Sequence, residues 1–207
     1  MQKQIYLFSA TSHPEAIHVN SLDFNFFTPS IDFSNYDYLI LTSKKAVDAL
    51  QNYKKEDYID IPALCVSNFT KRYYEEFGGK VLTVGGGIGS DLKDIISTYP
   101  KEKKWLYIRA KEIAGDGFGT DEVVLYESRC SNEILNFKLI DENSTLIFTS
   151  PSSVECFLKN NALHNKQDII VIGATTAKSL PTGINYKISD KTSIDSCIKI
   201  ALKFKKS

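Results

Sequence analysis

The chain has 207 residues, 43% of them apolar, which is enough for one large or two small packed cores and too long for a disulfide-stapled miniature. Basic and acidic side chains balance at 25 each, which gives no footing to a nucleic-acid groove or a polybasic membrane patch. No apolar stretch approaches the roughly 18 residues of a membrane-spanning helix.

Met1-Gln2-Lys3-Gln4 runs straight into Ile5–Phe8 without a long apolar leader, so the expectation is a soluble, untargeted, cytoplasmic protein. Ile5–Phe8 reads as a short buried strand and the polar stretch from Ser9 to Phe27 as irregular. Tyr38–Leu41 is the next strand; Thr42-Ser43 ends it, and Lys44–Asn52 reads as a helix with Ala46, Val47 and Leu50 on one face. Ala63–Val66 is a strand, followed by Ser67-Asn68 and a helix through Phe77 that Gly78-Gly79 closes. After the strand Val81–Val84 and a glycine-rich run, Ser90 is expected to cap a helix through Ile96. Trp105–Ile108 is a strand with Arg109 and Lys111 at its end, and a Gly- and Asp-rich loop then leads to strand-like Glu122–Tyr126.

In the C-terminal part, the strand Ser144–Phe148 is followed by Thr149-Ser150-Pro151 and a helix through Leu158. The strand Ile169–Ile172 precedes Gly173-Ala174-Thr175-Thr176 and a short helix to Leu180. Tyr186–Ile188 is the last strand and Ile194–Phe204 the last helix. Short apolar strands alternating with amphipathic helices predict parallel sheets covered on both faces, and strands this short suit two small sheets.

Cys65, Cys130, Cys156 and Cys197 stand far apart in apolar or helical surroundings and read as buried thiols of a reduced compartment. His13, His18 and His164 do not combine with them at metal-ligand spacing, so no metal site is expected.

Leu41-Thr42-Ser43 and Phe148-Thr149-Ser150 head similar stretches, as do Ala63–Thr70 and Ile169–Thr176, and the offset between the copies is nearly constant. The pattern reads as an internal duplication of one α/β unit. Each of these turns stands where a parallel strand gives way to a helix, the place where open α/β sheets bind ligands. There Ser and Thr hydroxyls cap the helix and leave amides free for an anion, and Pro151 fits the first helical position. Two sheets facing each other with these ends would form a polar cleft suited to a ligand with many carboxylates. The glycines from Gly85 to Gly89 do not meet GxGxxG, and Asp91 follows them, so the run reads as a permissive turn. P-loop and GxSxG patterns are absent. The residues leave open an enzyme acting on a polycarboxylate, a non-catalytic two-lobed small-molecule binder and a flavodoxin-like cofactor enzyme.

Phe148-Thr149-Ser150-Pro151-Ser152-Ser153-Val154 and Val171-Ile172-Gly173-Ala174-Thr175-Thr176-Ala177 resemble motifs of the uroporphyrinogen-III synthase family, with weaker copies at Leu41–Val47 and Cys65–Thr70. Ser9-Ala10-Thr11 departs from an Arg-Pro common in that family, Lys44-Lys45 from a Pro-containing turn, and Ser67 from a glycine. The resemblance implies an α/β fold of two flavodoxin-like parallel-sheet domains joined by a two-segment hinge. One domain would be discontinuous, residues 1–28 and 130–207, and the other, residues 29–129, inserted in it. It implies a monomer that closes hydroxymethylbilane, a linear tetrapyrrole with eight carboxylate arms, into uroporphyrinogen III with inversion of the last ring. It implies no metal or organic cofactor, while the balanced charge leads us to expect no nucleic acid and no membrane partner. Tyr126 matches a family tyrosine and would donate to the leaving hydroxyl. Thr42, Ser43, Lys44, Ser67, Asn68, Thr70, Arg109, Lys111, Thr149, Ser150, Ser152, Gly173, Thr175 and Thr176 would bind substrate, the bases meeting carboxylate arms and the hydroxyls orienting the chain.

Overall fold

The computed structural model describes residues 3–87, 89–113, 115–138 and 143–204. The chain forms two compact units, one of Met1–Asp23 with Arg129–Ser207 and one of Phe24–Ser128. The strands in chain order are β1 (Ile5–Ser9), β2 (Ile17–Asn20), β3 (Leu22–Phe26), β4 (Tyr38–Leu41), β5 (Ala63–Cys65), β6 (Val81–Val84), β7 (Trp105–Ala110), β8 (Asp121–Cys130), β9 (Thr145–Phe148), β10 (Asp168–Val171) and β11 (Lys187–Ile188). The helices are α1 (Lys44–Leu50), α2 (Lys55–Tyr58), α3 (Asn68–Glu76), α4 (Ser90–Ser97), α5 (Asn132–Asn136), α6 (Pro151–Leu158), α7 (Ala174–Ala177) and α8 (Ile194–Phe204).

The discontinuous unit holds a parallel sheet in the order β11-β10-β9-β1-β2, the flavodoxin-like arrangement in which the chain switches direction beside β1. The period of two along each strand sorts its residues between two cores. Tyr6, Phe8, Leu146, Phe148, Ile169 and Val171 pack against Ile134 of α5 and Val154 and Phe157 of α6. Ile5, Leu7, Ile147 and Ile170 pack on the other face against Cys197, Ile198 and Ala201 of α8. Both faces are covered, so these strands read as unbroken apolar runs.

The continuous unit has the order β3-β8-β7-β4-β5-β6, with β8 to β6 all parallel. Leu39, Leu41, Ala63, Cys65, Leu106 and Ile108 meet α1 and α3 on one face. Ile40, Leu64, Trp105 and Tyr107 meet Leu92 of α4 on the other. The element order follows the expected duplication once the short helix α2, which stands between α1 and β5, is set aside: β4-α1-β5-α3-β6-α4 in this unit parallels β9-α6-β10-α7-β11-α8 in the other.

Several expectations are corrected. The stretch from Ser9 to Phe27 is not irregular: it contains β2 and β3. Ile17 and Val19, then Leu22, Phe24 and Phe26, carry the alternation, but each run is short and lies at a sheet edge, where polar residues are tolerated. Ser90 is the first residue of α4 and Gly89 its N-cap. The helix after Gly173 stops at Ala177, and the short helices α2 and α5 had no sequence reading. Cys130 and Cys156 are not thiols but a disulfide with Cα atoms 5.4 Å apart, because the end of β8 lies beside α6, a proximity that spacing along the chain does not encode. Cys65 and Cys197 are free and buried. Among the described residues no helix is long and apolar enough to cross a membrane.

Candidate active site

In the continuous unit the chain leaves β4 for β5 and β6 on one side and returns to β7 on the other. Connections therefore diverge between the C-terminal ends of β4 and β7, and a crevice is left there. A cavity of about 680 Å³ opens at this point. Its floor is Thr42 and Ser43 after β4, Val66 after β5, Tyr107 and Ala110 of β7 and Tyr126 of β8. Gly87, Gly89 and Lys93 line one side, and the loop carrying Glu112, Ile113 and Gly115 to Phe118 lines the other.

Two hydroxyl–phenol pairs form the floor. The Ser43 backbone is extended and its Oγ accepts from the Ala46 amide at 3.1 Å, capping α1. The same Oγ lies 2.7 Å from the Tyr126 hydroxyl. Next to it, Thr42 Oγ1 lies 3.2 Å from the Tyr107 hydroxyl. Tyr126 reaches this position because the β7–β8 register shifts, Arg109 facing Val124 and Ala110 facing Tyr126. The irregularity lets consecutive Leu125 and Tyr126 both join the core cluster beside α1, which strict alternation forbids. Burial pushes both phenols above their ordinary range, opposed in each case by the hydroxyl partner. Both are therefore neutral donors across the physiological range.

The loop over the cavity is held by Arg109. Its Nε lies 2.8 Å from Glu122 Oε2, and its Nη1 donates to the carbonyls of Ala110 and Lys111 at 3.0 and 3.1 Å. A Cβ on Gly117 would run into the Glu122 carboxylate, so a side chain there would push that carboxylate aside from Arg109. Arg109, expected to meet a carboxylate arm, is thus engaged in folding the strand end. Lys111 pairs with Glu127 at 3.1 Å, with the ammonium well exposed. Neither base lines the cavity, where Lys93 is the basic residue beside the acidic Glu112 and Asp116.

The other expected residues fall into two groups. In the same unit, Ser67 caps α3, accepting from the Thr70 amide, and Thr70 is buried with its hydroxyl 3.3 Å from Ser67 Oγ. Asn68 is exposed, and the Lys44 ammonium rests on the rings of Phe69 and Tyr73. In the discontinuous unit the corresponding edge lies beyond β9 and β10. There Thr149 Oγ1 donates to the Phe8 carbonyl at 3.2 Å, and Ser150 forms a capping box with Ser153. Ser152 is half-buried, Gly173 caps α7 with extended backbone, Thr175 is exposed and Thr176 buried.

The cavity thus unites Thr42, Ser43 and Tyr126 of the expected set. Sequence reading missed Tyr107, Lys93 and the loop from Glu112 to Phe118. Tyr107 carried one usable signal: it occupies a strand position whose immediate neighbours are aliphatic, and its phenol needs a polar end. Among the described residues no group of three or more His, Cys, Asp or Glu is placed to hold a metal ion.

A family model described as Uroporphyrinogen-III synthase HemD matches residues 14–199. Among solved structures, uroporphyrinogen-III synthetase from Helicobacter pylori 26695 is similar at 26% identity and TM-score 0.82, over 98% of this chain and 99% of that one. A mutant uroporphyrinogen III synthase from the extremely thermophilic bacterium Thermus thermophilus shares the fold at 13% identity and TM-score 0.60, over 98% and 99% of the two chains. No curated protein matches the chain.

Proposed function

We infer, from the premise that this chain belongs to the uroporphyrinogen-III synthase family, that it closes hydroxymethylbilane into uroporphyrinogen III and releases water. The family match carries this reading over both the non-catalytic binder and the cofactor enzyme. The observation that supports a site for the reaction is the Ser43–Tyr126 pair at 2.7 Å, at the topological switch point of the continuous unit.

The cyclisation breaks the bond between the terminal carbon and its hydroxyl oxygen, and the oxygen needs a proton to leave as water. In our reading Tyr126 supplies it. Its buried phenol stays protonated, and with Ser43 donating in their shared hydrogen bond the phenol's own O–H is left for the leaving hydroxyl. The cation left on the chain is then attacked by the substituted carbon of the last ring. The older bond from that carbon to the preceding methylene breaks, and the ring turns over. Its free carbon bonds to that methylene and loses a proton, which replaces the one Tyr126 gave up. The protein's main task is therefore to position that ring. Tyr107 and Thr42 would orient the same end of the substrate. Lys44 and Lys93 would take carboxylate arms in this unit, and Ser150, Ser152, Gly173 and Thr175 would take others at the edge of the discontinuous unit. The bilane closes without help to the symmetric isomer. Freshly prepared hydroxymethylbilane added to the purified chain should therefore yield isomer III, and formation of the symmetric isomer alone would defeat the reading. We place the protein in the cytoplasm as a monomer on the strength of its family, although a disulfide such as Cys130–Cys156 is uncommon in that compartment.

A further inference from the structure

Resting on that reading of the substrate, we propose that Phe69 and Lys44 form a subsite for one pyrrole ring and its acidic arm. Phe69 is 66% exposed, although it is a large apolar side chain in the first turn of α3. Side chains in a helix lean toward its N-terminus, so this ring stands over the C-terminal edge of the sheet. Its chain neighbour Val66, three residues earlier, lines the cavity, as does Ser43 beside Lys44.

The second observation is the state of Lys44. Its Nζ lies 3.9 Å from the centroid of Phe69 and 4.4 Å from that of Tyr73. Tyr73 is fixed in turn, its hydroxyl donating to Asp48 Oδ1 at 2.6 Å. The charge of Asp48 is met by Lys45 at 2.8 Å, not by Lys44. Among the described residues no carboxylate lies within ion-pair distance of Lys44. An ammonium cradled by two π faces without a carboxylate partner, beside an aromatic ring open to solvent, presents two features together. A flat, electron-rich ring stacks on Phe69. An acidic arm on that ring reaches round its edge to Lys44, whose long flexible stem lets it follow. A pyrrole bearing a carboxylate side chain satisfies both at once, which an aliphatic acid or a neutral aromatic does not.

The test is steady-state kinetics of isomer III formation by Phe69→Ala, Phe69→Trp, Lys44→Gln and the double variant, with thermal unfolding alongside. Phe69→Ala should raise KM about tenfold, equivalent to about 1.4 kcal/mol, while kcat stays within about twofold and thermal stability is unchanged. Phe69→Trp should restore the wild-type KM. Lys44→Gln should raise KM by a similar factor, and the double variant by less than the product of the two, because both act on one ring. Wild-type KM in both single variants of an active enzyme would overturn the subsite and leave the cyclase reading intact. A fall in kcat without a change in KM would overturn it as well. If the wild-type chain makes no isomer III, the cyclase reading falls and the subsite with it.

Discussion

Replacing Tyr126 with Phe deletes one oxygen and leaves the ring in its buried place beside Phe26. The lost hydrogen bond is the 2.7 Å contact with Ser43. Ser43 keeps the Ala46 amide, so the cap of α1 survives, and the structural cost should be about 1 kcal/mol. If the phenol protonates the leaving hydroxyl, its removal should lower kcat by about a hundredfold or more, equivalent to about 2.7 kcal/mol. The chemical effect thus exceeds the structural one, and KM should move by less than about threefold. The assay is isomer III formation at varied substrate, with denaturant unfolding of the same preparations. Ser43→Ala should cost more stability, because it removes both the helix cap and the phenol's partner. In the double-variant cycle the two changes should be non-additive by about 1 kcal/mol. A Tyr126→Phe enzyme that turns over within about threefold of the wild type, with the same loss of stability, would show that Tyr126 only braces Ser43.

Reduction of Cys130–Cys156, or its replacement by two serines, should destabilise the discontinuous unit. The chain-entropy relation for a separation of 26 residues gives about 3.5 kcal/mol; identical urea midpoints with and without reductant would contradict it. Arg109→Lys should weaken substrate binding several-fold although it keeps the charge, because only the guanidinium reaches Glu122 and two carbonyls together; a KM equal to the wild type would refute this. Burial, with a smaller contribution from Glu75, pushes the Cys65 thiol from its ordinary 9.0 up to about 12. The folded chain then holds that proton where the unfolded chain has lost it. Its contribution to stability is therefore complete below about pH 9 and is lost as the pH climbs toward about 12. Cys65→Ala should flatten this alkaline decline in a pH series of denaturant midpoints, and an unaltered slope would count against the assignment.

The local elements were legible because they rest on short-range chemistry. Tyr38–Leu41, Val81–Val84 and Ile194–Phe204 have the bounds their apolar patterns predict, and Ser43, Ser67 and Ser150 cap the helices they precede. The repeat of strand and helix was legible too, and Ser43 and Ser150 at matching strand ends each cap the helix that follows. The edge strands β2 and β3 were obscured, because one exposed side admits polar residues that mask the alternation. Tertiary structure alone decided the chemistry of the site. A register shift near the end of β7 turns Tyr126 toward Ser43, and the return of the chain beside β4 brings Tyr107 to Thr42. It also joined Cys130 to Cys156 and drew Arg109 to Glu122. These contacts join residues far apart in the chain, and which partner each meets depends on strand order and register, which no local pattern of residue types specifies.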